Sequence, residues 1–328
     1  MDKRIEWIDI AKFYGILLVI IGHCGPPIVP KIMLSSFHMP LFFFLSGCTV
    51  KEKHLEQPRK FIKSRVKGIL VPYFLLAFVM FIWKILQFAI FHTGSLEGVL
   101  KQFLGIFVQC RSTGYAIGLW FLPCLFVTEL IFIGVQLLFK HRGVGVIFSV
   151  IFIVGLVYGE CTTFALPWGI DAALIASGFM YLGARLKQKC NHRSKYTYIF
   201  LIVLFIIEVC VSLMNYTFTS GIVVDMWSNE YGIAPLFVIG ACAGIGMIIM
   251  ISHLTINRFA LYIGTKTLYI YGIHIIFIEF IDQITARMLS TLPVLWFLIK
   301  ACIVLSLSLL TEPIYKYVIG VVYEKFEQ

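Results

Sequence analysis

The sequence has very little charge for its length, and this scarcity decides its class. Only 13% of the 328 residues are charged, whereas 60% are hydrophobic and 16% are aromatic. Soluble domains contain about 25% charged and about 45–50% apolar residues. A soluble chain could not bury this much apolar surface in one or two cores. The composition therefore indicates a polytopic membrane protein and excludes a cytosolic two-domain enzyme, a secreted disulfide scaffold and a disordered chain.

The sequence also lacks the spacings of a metal site or a disulfide framework. Its nine cysteines are scattered singly, with no CxxC pair and no Cys/His cluster, so we expect no metal ion. Most lie in apolar runs, where a free cysteine behaves as a small hydrophobe. A disulfide among Cys24, Cys110 and Cys161 remains open. The first apolar run is flanked by Asp9 and Lys12 and has no small-residue cleavage site, so we expect a spanning helix rather than a signal peptide.

Long apolar runs are abundant, and they predict the architecture. A spanning helix needs roughly 20 mostly apolar residues. The expected fold is an all-α bundle of about ten transmembrane helices, forming one membrane domain over residues 1–328 with no separate soluble domain. The apolar stretch 96–108 is too short to span and is typical of an interfacial or re-entrant helix. The predicted spans are 8–24, 32–50, 69–91, 116–139, 144–158, 170–186, 197–214, 233–252, 267–281 and 293–311.

The basic residues lie mainly on one side of this map. With the N-terminus inside, twenty of the 27 lysines and arginines fall in inner segments, four in outer segments and three within spans. The positive-inside rule then predicts that both termini are cytoplasmic. The net charge of +10 reflects this topology, so we expect contact with anionic lipids and no nucleic-acid partner. The outer loops 159–169 and 215–232 contain acids but no lysine or arginine, which favours a neutral or cationic ligand on that side.

Ionisable residues inside a span are costly and frequently functional. Lys12 and His23 are eleven residues apart, so they share one helix face and lie about 16 Å apart along its axis. Either Lys12 snorkels to headgroups and His23 is an interface histidine, or both face a common functional seam. Glu129, deep in the fourth span, needs a partner, for which Lys84 and His274 are candidates.

The segment 51–67 holds seven lysines and arginines. Topology and anionic lipid explain it adequately. The functional alternative is a phosphate clamp for a polyanionic cofactor, in which Arg65 would make bidentate contacts. Both interpretations can hold together.

Four further residues are candidate substrate contacts. Trp120 is either a headgroup anchor or an aromatic wall for a sugar ring. Tyr271 and His274 share a helix face with Thr267, as either a structural polar stripe or a substrate contact. His38, at the outer mouth of the second span, is either a helix-start residue or part of the site.

Five segments in order resemble the acyltransferase 3 family of integral membrane acyltransferases, and specifically its subgroup near the fucose and nodulation-factor O-acetylases. In that family's pattern a basic residue, commonly arginine, stands eleven positions before an essential histidine, and Lys12 and His23 match this spacing. Two arginines three apart precede a Pro-Tyr pair; here Arg65 matches the first, Gly68 occupies the second position and Lys67 lies beside it. The matching segments are 9–23, 37–47, 69–73, 119–123 and 271–274.

The resemblance implies acyl transfer, usually of acetyl, from cytoplasmic acyl-CoA to a hydroxyl of a cell-envelope carbohydrate or lipid-linked sugar. It implies a multi-pass protein of the bacterial cytoplasmic membrane, with acetyl-CoA as donor co-substrate and no metal. His23 is then the expected general base, because an imidazole is the usual group to deprotonate a hydroxyl at neutral pH. The donor is expected at Lys12, Arg65 and Lys67, and the acceptor at His38, Trp120, Tyr271 and His274.

A transporter for a small polar solute or lipid-linked sugar is the alternative function. Ten helices with buried polar residues would serve it equally. The sequence shows neither an inverted repeat nor paired broken helices, which such a transporter would often contain.

Overall fold

The chain folds as a bundle of helices. The computed structural model describes residues 5–92, 94–111, 113–140, 142–190, 196–285 and 295–327. Within these ranges the one extended pairing is an isolated antiparallel bridge between Asp225 and Glu230, so the predicted all-α class is confirmed. The helices are α1 (Glu6–His23), α2 (Ile28–Thr49), α3 (Glu52–Glu56), α4 (Pro58–Arg65), α5 (Val71–Phe91), α6 (Leu96–Val108), α7 (Phe121–Leu138), α8 (Val144–Cys161), α9 (Ile170–Cys190), α10 (Thr197–Phe218), α11 (Ala234–Leu254), α12 (Arg258–Gly264), α13 (Thr267–Thr285) and α14 (Trp296–Glu327).

Eight helices in the described ranges are long and apolar enough to cross a membrane, as a polytopic membrane protein requires. They comprise α2, the continuous segment Pro58–Phe91, α7, α8, α10, α11, α13 and Trp296–Glu324. The other two predicted spans coincide with α1 and α9, which are 18 and 21 residues long. Both helices carry charged residues in their end turns, which lowers their mean hydropathy. The count of ten spans and the cytoplasmic termini therefore stay predictions.

Short loops join packed pairs of long helices such as α1 and α2, and α8 and α9, so these helices run in opposite directions and the bundle has two ends. We call the end at which α1 reaches His23 the histidine end, and the end that holds Arg65 the basic end. The main buried core lies between α1, α2, α5, α7, α9, α11 and α13. Side chains from α1, α2, α7 and α13 therefore approach one another inside the bundle.

Glycines bring α2 and α9 into close contact. A Cβ at Gly47 would overlap the backbone carbonyl of Met180, and one at Gly183 would overlap that of Phe44. Only glycine permits this approach of two helix backbones. Because α7 also packs on α9, Ser46 of α2 comes within hydrogen-bonding reach of α7.

Several boundaries differ from the predicted ones by three residues or more, and the spans predicted to end at 186, 214 and 281 continue to 190, 218 and 285. The predicted span 69–91 is preceded by α4 and a π-helical turn, so its helix begins at Pro58. The predicted span 116–139 begins late, at Phe121, because Gly118 adopts a left-handed backbone with φ of 79°. The span predicted to end at residue 158 continues to Cys161, and the last helix continues through Pro313 to Glu327. Residues 293 and 294 of the last predicted span lie outside the described residues.

A buried ion pair ties two loops together at the histidine end. Arg111 contacts Asp171 of α9, and the two side chains are 6% and 0% exposed. Asp171 also accepts the backbone N–H of Leu166 at 3.4 Å, which connects the loop before α9 to the same pair. All nine cysteines lie within the described ranges and are free, so the possible disulfide among Cys24, Cys110 and Cys161 is not formed.

Candidate active site

A cavity of about 220 Å³ opens inside the bundle between α1, α2, α7, α13 and the turn after Arg65. Its polar lining lies towards the basic end, and its aromatic lining lies towards the histidine end. The polar residues on its wall are Lys12, Ser46, Thr49, Arg65, Glu129 and Thr267. Aromatic rings from Phe42, Phe121 and Tyr271 close the other end. This gradient from charged to apolar suits an elongated ligand with a charged head.

The local chain geometry places Arg65 on the cavity wall. Pro58 starts α4 at a position where proline is favoured, and a π-helical turn over Val66–Leu70 follows Arg65. Such turns shift the face that a helix presents and are frequent at functional sites. Here the turn brings Arg65 and Gly68 to the same wall, and a Cβ built on Gly68 meets nothing within 4 Å. The cavity thus has open space at Gly68.

The partner of Glu129 is Arg65, and the sequence did not predict this. Arg65 Nε lies 3.0 Å from Glu129 Oε2, so the two side chains form an ion pair. The two atoms do not meet the geometry of a hydrogen bond. Ser46 donates to the other carboxylate oxygen at 2.8 Å. The candidates Lys84 and His274 are both wrong, because Lys84 pairs with Glu279 at 2.7 Å and His274 contacts the carbonyl of Tyr271.

The Arg65 guanidinium retains capacity for an anion. Its Nε is buried and has no hydrogen-bond partner among the described residues. Its carbon lies 4.8 Å from the centre of the Phe61 ring, which supports the planar group from one side. A guanidinium offers five N–H donors in a fork that matches phosphate oxygens. Because Nε already faces Glu129, the terminal nitrogens of this fork are the ones that could contact a ligand anion in the cavity.

The two lysines predicted to bind the donor occupy different places. Lys12 lines the cavity, and its Nζ lies 4.0 Å from Asp9 one turn earlier on α1. Lys67 instead places its ammonium 4.7 Å from the centre of the Tyr323 ring of α14. Tyr323 also donates its hydroxyl to the Lys67 carbonyl at 2.8 Å. Lys12 and Arg65 therefore share the cavity, whereas Lys67 packs against α14.

Three histidines gather at the histidine end. The rings of His23 and His274 meet edge to face with centroids 5.2 Å apart. His38 lies within electrostatic range of His23 and of Asp225 in the loop between α10 and α11. Within the described part of the chain, no group of three or more histidine, cysteine or acidic side chains is arranged to hold a metal ion.

Hydrogen bonds fix which nitrogen of each imidazole is available. Nδ1 of His23 lies 2.8 Å from the carbonyl of Val19, and Nδ1 of His38 lies 2.6 Å from that of Leu34. A carbonyl only accepts, so each Nδ1 carries the proton and each Nε2 keeps its lone pair. His23 is exposed. His274 has the same arrangement, but its Nε2 is buried and has no partner among the described residues.

Tyr271 connects the cavity to the histidines. Its ring lines the cavity and lies 5.7 Å from the ring of His274. Its hydroxyl accepts the backbone N–H of Phe121 at 3.2 Å, which joins α13 to the start of α7. A ligand leading from the cavity to His23 would pass Tyr271 and Phe121.

Trp120 faces a second tryptophan that the sequence reading missed. Its ring lies 5.6 Å from that of Trp227, in the loop between α10 and α11. Asp225 fixes this loop, accepting the backbone N–H of Trp227 at 3.0 Å and the Ser228 hydroxyl at 2.7 Å. The pattern Asp-x-Trp-Ser in a loop without lysine or arginine was the signal available for it. Ser46 was also missed; its signal was a hydroxyl inside the apolar run 41–47.

Comparison with known families decides the class. The family model described as an acyltransferase domain, acyltransferase 3, matches residues 5–312. The chain belongs to the acyltransferase 3 family. No curated protein and no solved structure matches it significantly.

As a membrane acyltransferase, the protein needs a site for an acyl donor, a site for an acceptor and a group that activates the acceptor. The match extends from before α1 into α14, so it includes both the cavity and the histidines. The acyltransferase thus contains a cavity lined by Lys12 and Arg65 towards the basic end and the exposed imidazole of His23 at the other.

Proposed function

We propose that the protein is an O-acyltransferase that moves an acyl group, most simply acetyl, from acyl-CoA to a hydroxyl of a cell-envelope carbohydrate or lipid-linked sugar. The observation that carries this proposal is the exposed imidazole of His23, whose Nδ1 is bonded to the Val19 carbonyl, on the same helix face as Lys12 in the cavity. Lys12 and His23 are about 16 Å apart along α1, which suits a long donor arm between them.

The donor enters from the basic end in this proposal. Phosphates of CoA contact the Arg65 fork and Lys12, because both cations line the cavity. The pantetheine arm then follows the apolar part of the cavity past Phe121 and Tyr271. The basic end is assigned to the cytoplasm, as the positive-inside rule predicts, in a bacterial cytoplasmic membrane.

The reaction itself requires one base. His23 Nε2 takes the proton of the acceptor hydroxyl while its oxygen attacks the thioester carbonyl. The C–S bond of the tetrahedral intermediate then breaks, and the imidazolium returns the proton to the departing thiolate. The products are an ester and free CoA, and His23 is neutral again.

The acceptor occupies the histidine end. His274 contacts His23 there, and His38 together with the paired rings of Trp120 and Trp227 would supply further hydrogen-bonding and aromatic surfaces for a sugar. Lysine at position 12, where the family commonly has arginine, is the feature that supports placing the protein near the fucose and nodulation-factor O-acetylases.

Labelled acetyl-CoA tests the proposal on detergent-purified protein with a membrane glycan extract as acceptor. The wild-type protein is expected to release CoA and label the glycan, whereas His23→Ala loses both. His54→Ala, at the opposite end of the bundle, is the matched control and retains activity. Full activity in a folded His23→Ala protein would refute the assignment of the base.

The transporter alternative makes the opposite prediction. Proteoliposomes would accumulate a labelled sugar without acetyl-CoA, and no CoA would be released. Accumulation without CoA release would replace the proposed reaction by transport.

A further inference from the structure

A second cavity lies at the histidine end, outside the residues assigned above. It is formed by α5, α6 and α13 and has a volume of about 420 Å³. Its lining is rich in polar side chains, including Gln102 of α6 and Gln283 of α13. The proposed chemistry uses none of them.

The charges around this cavity are already paired. Lys84 and Glu279 face each other at 2.7 Å, and Glu279 also accepts from Trp83 at 2.8 Å. Lys300 donates to Asp282 at 2.8 Å. A cavity with balanced, bonded charges gives little attraction to a polyanion or a polycation, so it favours an uncharged ligand.

Two amides in the lining are not satisfied. The side-chain oxygens of Gln102 and Gln283 are buried and have no hydrogen-bond partner among the described residues. A buried acceptor without a donor is costly, so a ligand that supplies donors is stabilised there. Hydroxyl groups both donate and accept, and they therefore suit either end of an amide.

Helix α13 connects the cavity to the reaction centre. It carries both His274, whose ring lies 5.2 Å from that of His23, and Glu279 of the cavity lining, five residues later and about 7.5 Å along the helix axis. Asp282 also lines the cavity, with its side chain 44% exposed. A chain lying in the cavity can thus continue towards His23.

We propose that this cavity is a subsite for an uncharged, hydroxyl-rich oligosaccharide, which holds the part of the acceptor beyond the sugar that reacts at His23. This inference rests on the proposed acyl transfer. It specifies that the acceptor is an extended neutral glycan rather than a single sugar or a charged polymer. Gln102 and Gln283 supply its hydrogen bonds.

The test measures binding of cellotetraose to the full-length protein by saturation-transfer NMR. The double variant Gln102→Leu/Gln283→Leu removes both unmatched amides with little change in volume, so it should fold normally. We expect it to weaken cellotetraose binding about tenfold or more. Gln136→Leu, in a cavity at the basic end, is the matched control and should bind normally. Glucose, which is too short to extend into the subsite, should show little difference between wild type and the double variant.

Equal cellotetraose binding by the wild type and the double variant would overturn the inference, because a merely water-filled cavity predicts that result. Equal or tighter binding of charged tetragalacturonate would also overturn it. The two proposals fail separately. An unchanged KM for the glycan acceptor in the double variant, with wild-type acyl transfer intact, refutes the subsite alone. Absence of acyl transfer by wild-type protein refutes the function, while cellotetraose binding still decides what the cavity holds.

Discussion

Removing the Arg65 guanidinium tests how much the buried ion pair with Glu129 contributes to the free energy of unfolding. Loss of one partner from a buried pair costs about 3–5 kcal/mol, because the other charge remains buried. Glu129 is only 2% exposed, whereas Arg65 is 25% exposed and Ser46 continues to donate to the carboxylate. We therefore expect Arg65→Ala to lower the free energy of unfolding by about 3 kcal/mol, the low end of that range.

The same pair predicts strong coupling between two substitutions. Glu129→Gln keeps the volume and still accepts the Ser46 bond, so it should cost about 1–2 kcal/mol. The double variant leaves no buried charge, and its cost should be smaller than the sum of the single costs by about 2 kcal/mol. Reversible unfolding in mixed detergent micelles measures all three variants, with Lys101→Ala at an exposed ion pair as the control. Additive costs would show that Arg65 and Glu129 do not stabilise each other.

Three other substitutions test separate parts of the structure. Arg111→Ala should lower the free energy of unfolding by about 4 kcal/mol because Asp171 is left fully buried and unpaired. A decrease below about 1 kcal/mol would show that the loops at the histidine end do not depend on this ion pair. Gly68→Arg should fold normally, since a side chain there enters open space. It should lower the KM for acyl-CoA severalfold, because it adds a second guanidinium group for the donor phosphates. An unchanged or higher KM in folded protein would contradict the donor position. Lys12→Ala should raise the KM for acyl-CoA about tenfold with kcat little changed; an unchanged KM would show that Lys12 serves topology alone.

Hydropathy predicted most helices of the bundle because a span must be apolar over its whole length. The segment 96–108 was predicted with the bounds that α6 has. Hydropathy missed the start at Pro58, since α4 is polar and extends the spanning helix beyond its apolar part. It also missed the extension past Pro313, where Glu312 pairs with Lys266, the residue just before α13, and the helix continues.

The candidate site was predictable where it depends on one helix and unpredictable where it depends on packing. Lys12 and His23 share a face of α1 by periodicity alone. The choice of Arg65 for Glu129 depends on how α2, α7 and α9 cross at Gly47 and Gly183, which no single-helix pattern specifies. Trp227 was missed because a loop fold depends on local hydrogen bonds such as those to Asp225, rather than on a repeating pattern.

In the proposed reaction, donor and acceptor meet at His23 from opposite ends of the bundle. Proteoliposomes with uniformly oriented protein test it directly, with labelled acetyl-CoA supplied only on the side of the basic end and a neutral glycan only on the other. We expect label on the glycan with wild-type protein and with His54→Ala, and none with His23→Ala. Label that appears only when both substrates share one side, or that persists in folded His23→Ala, would contradict it.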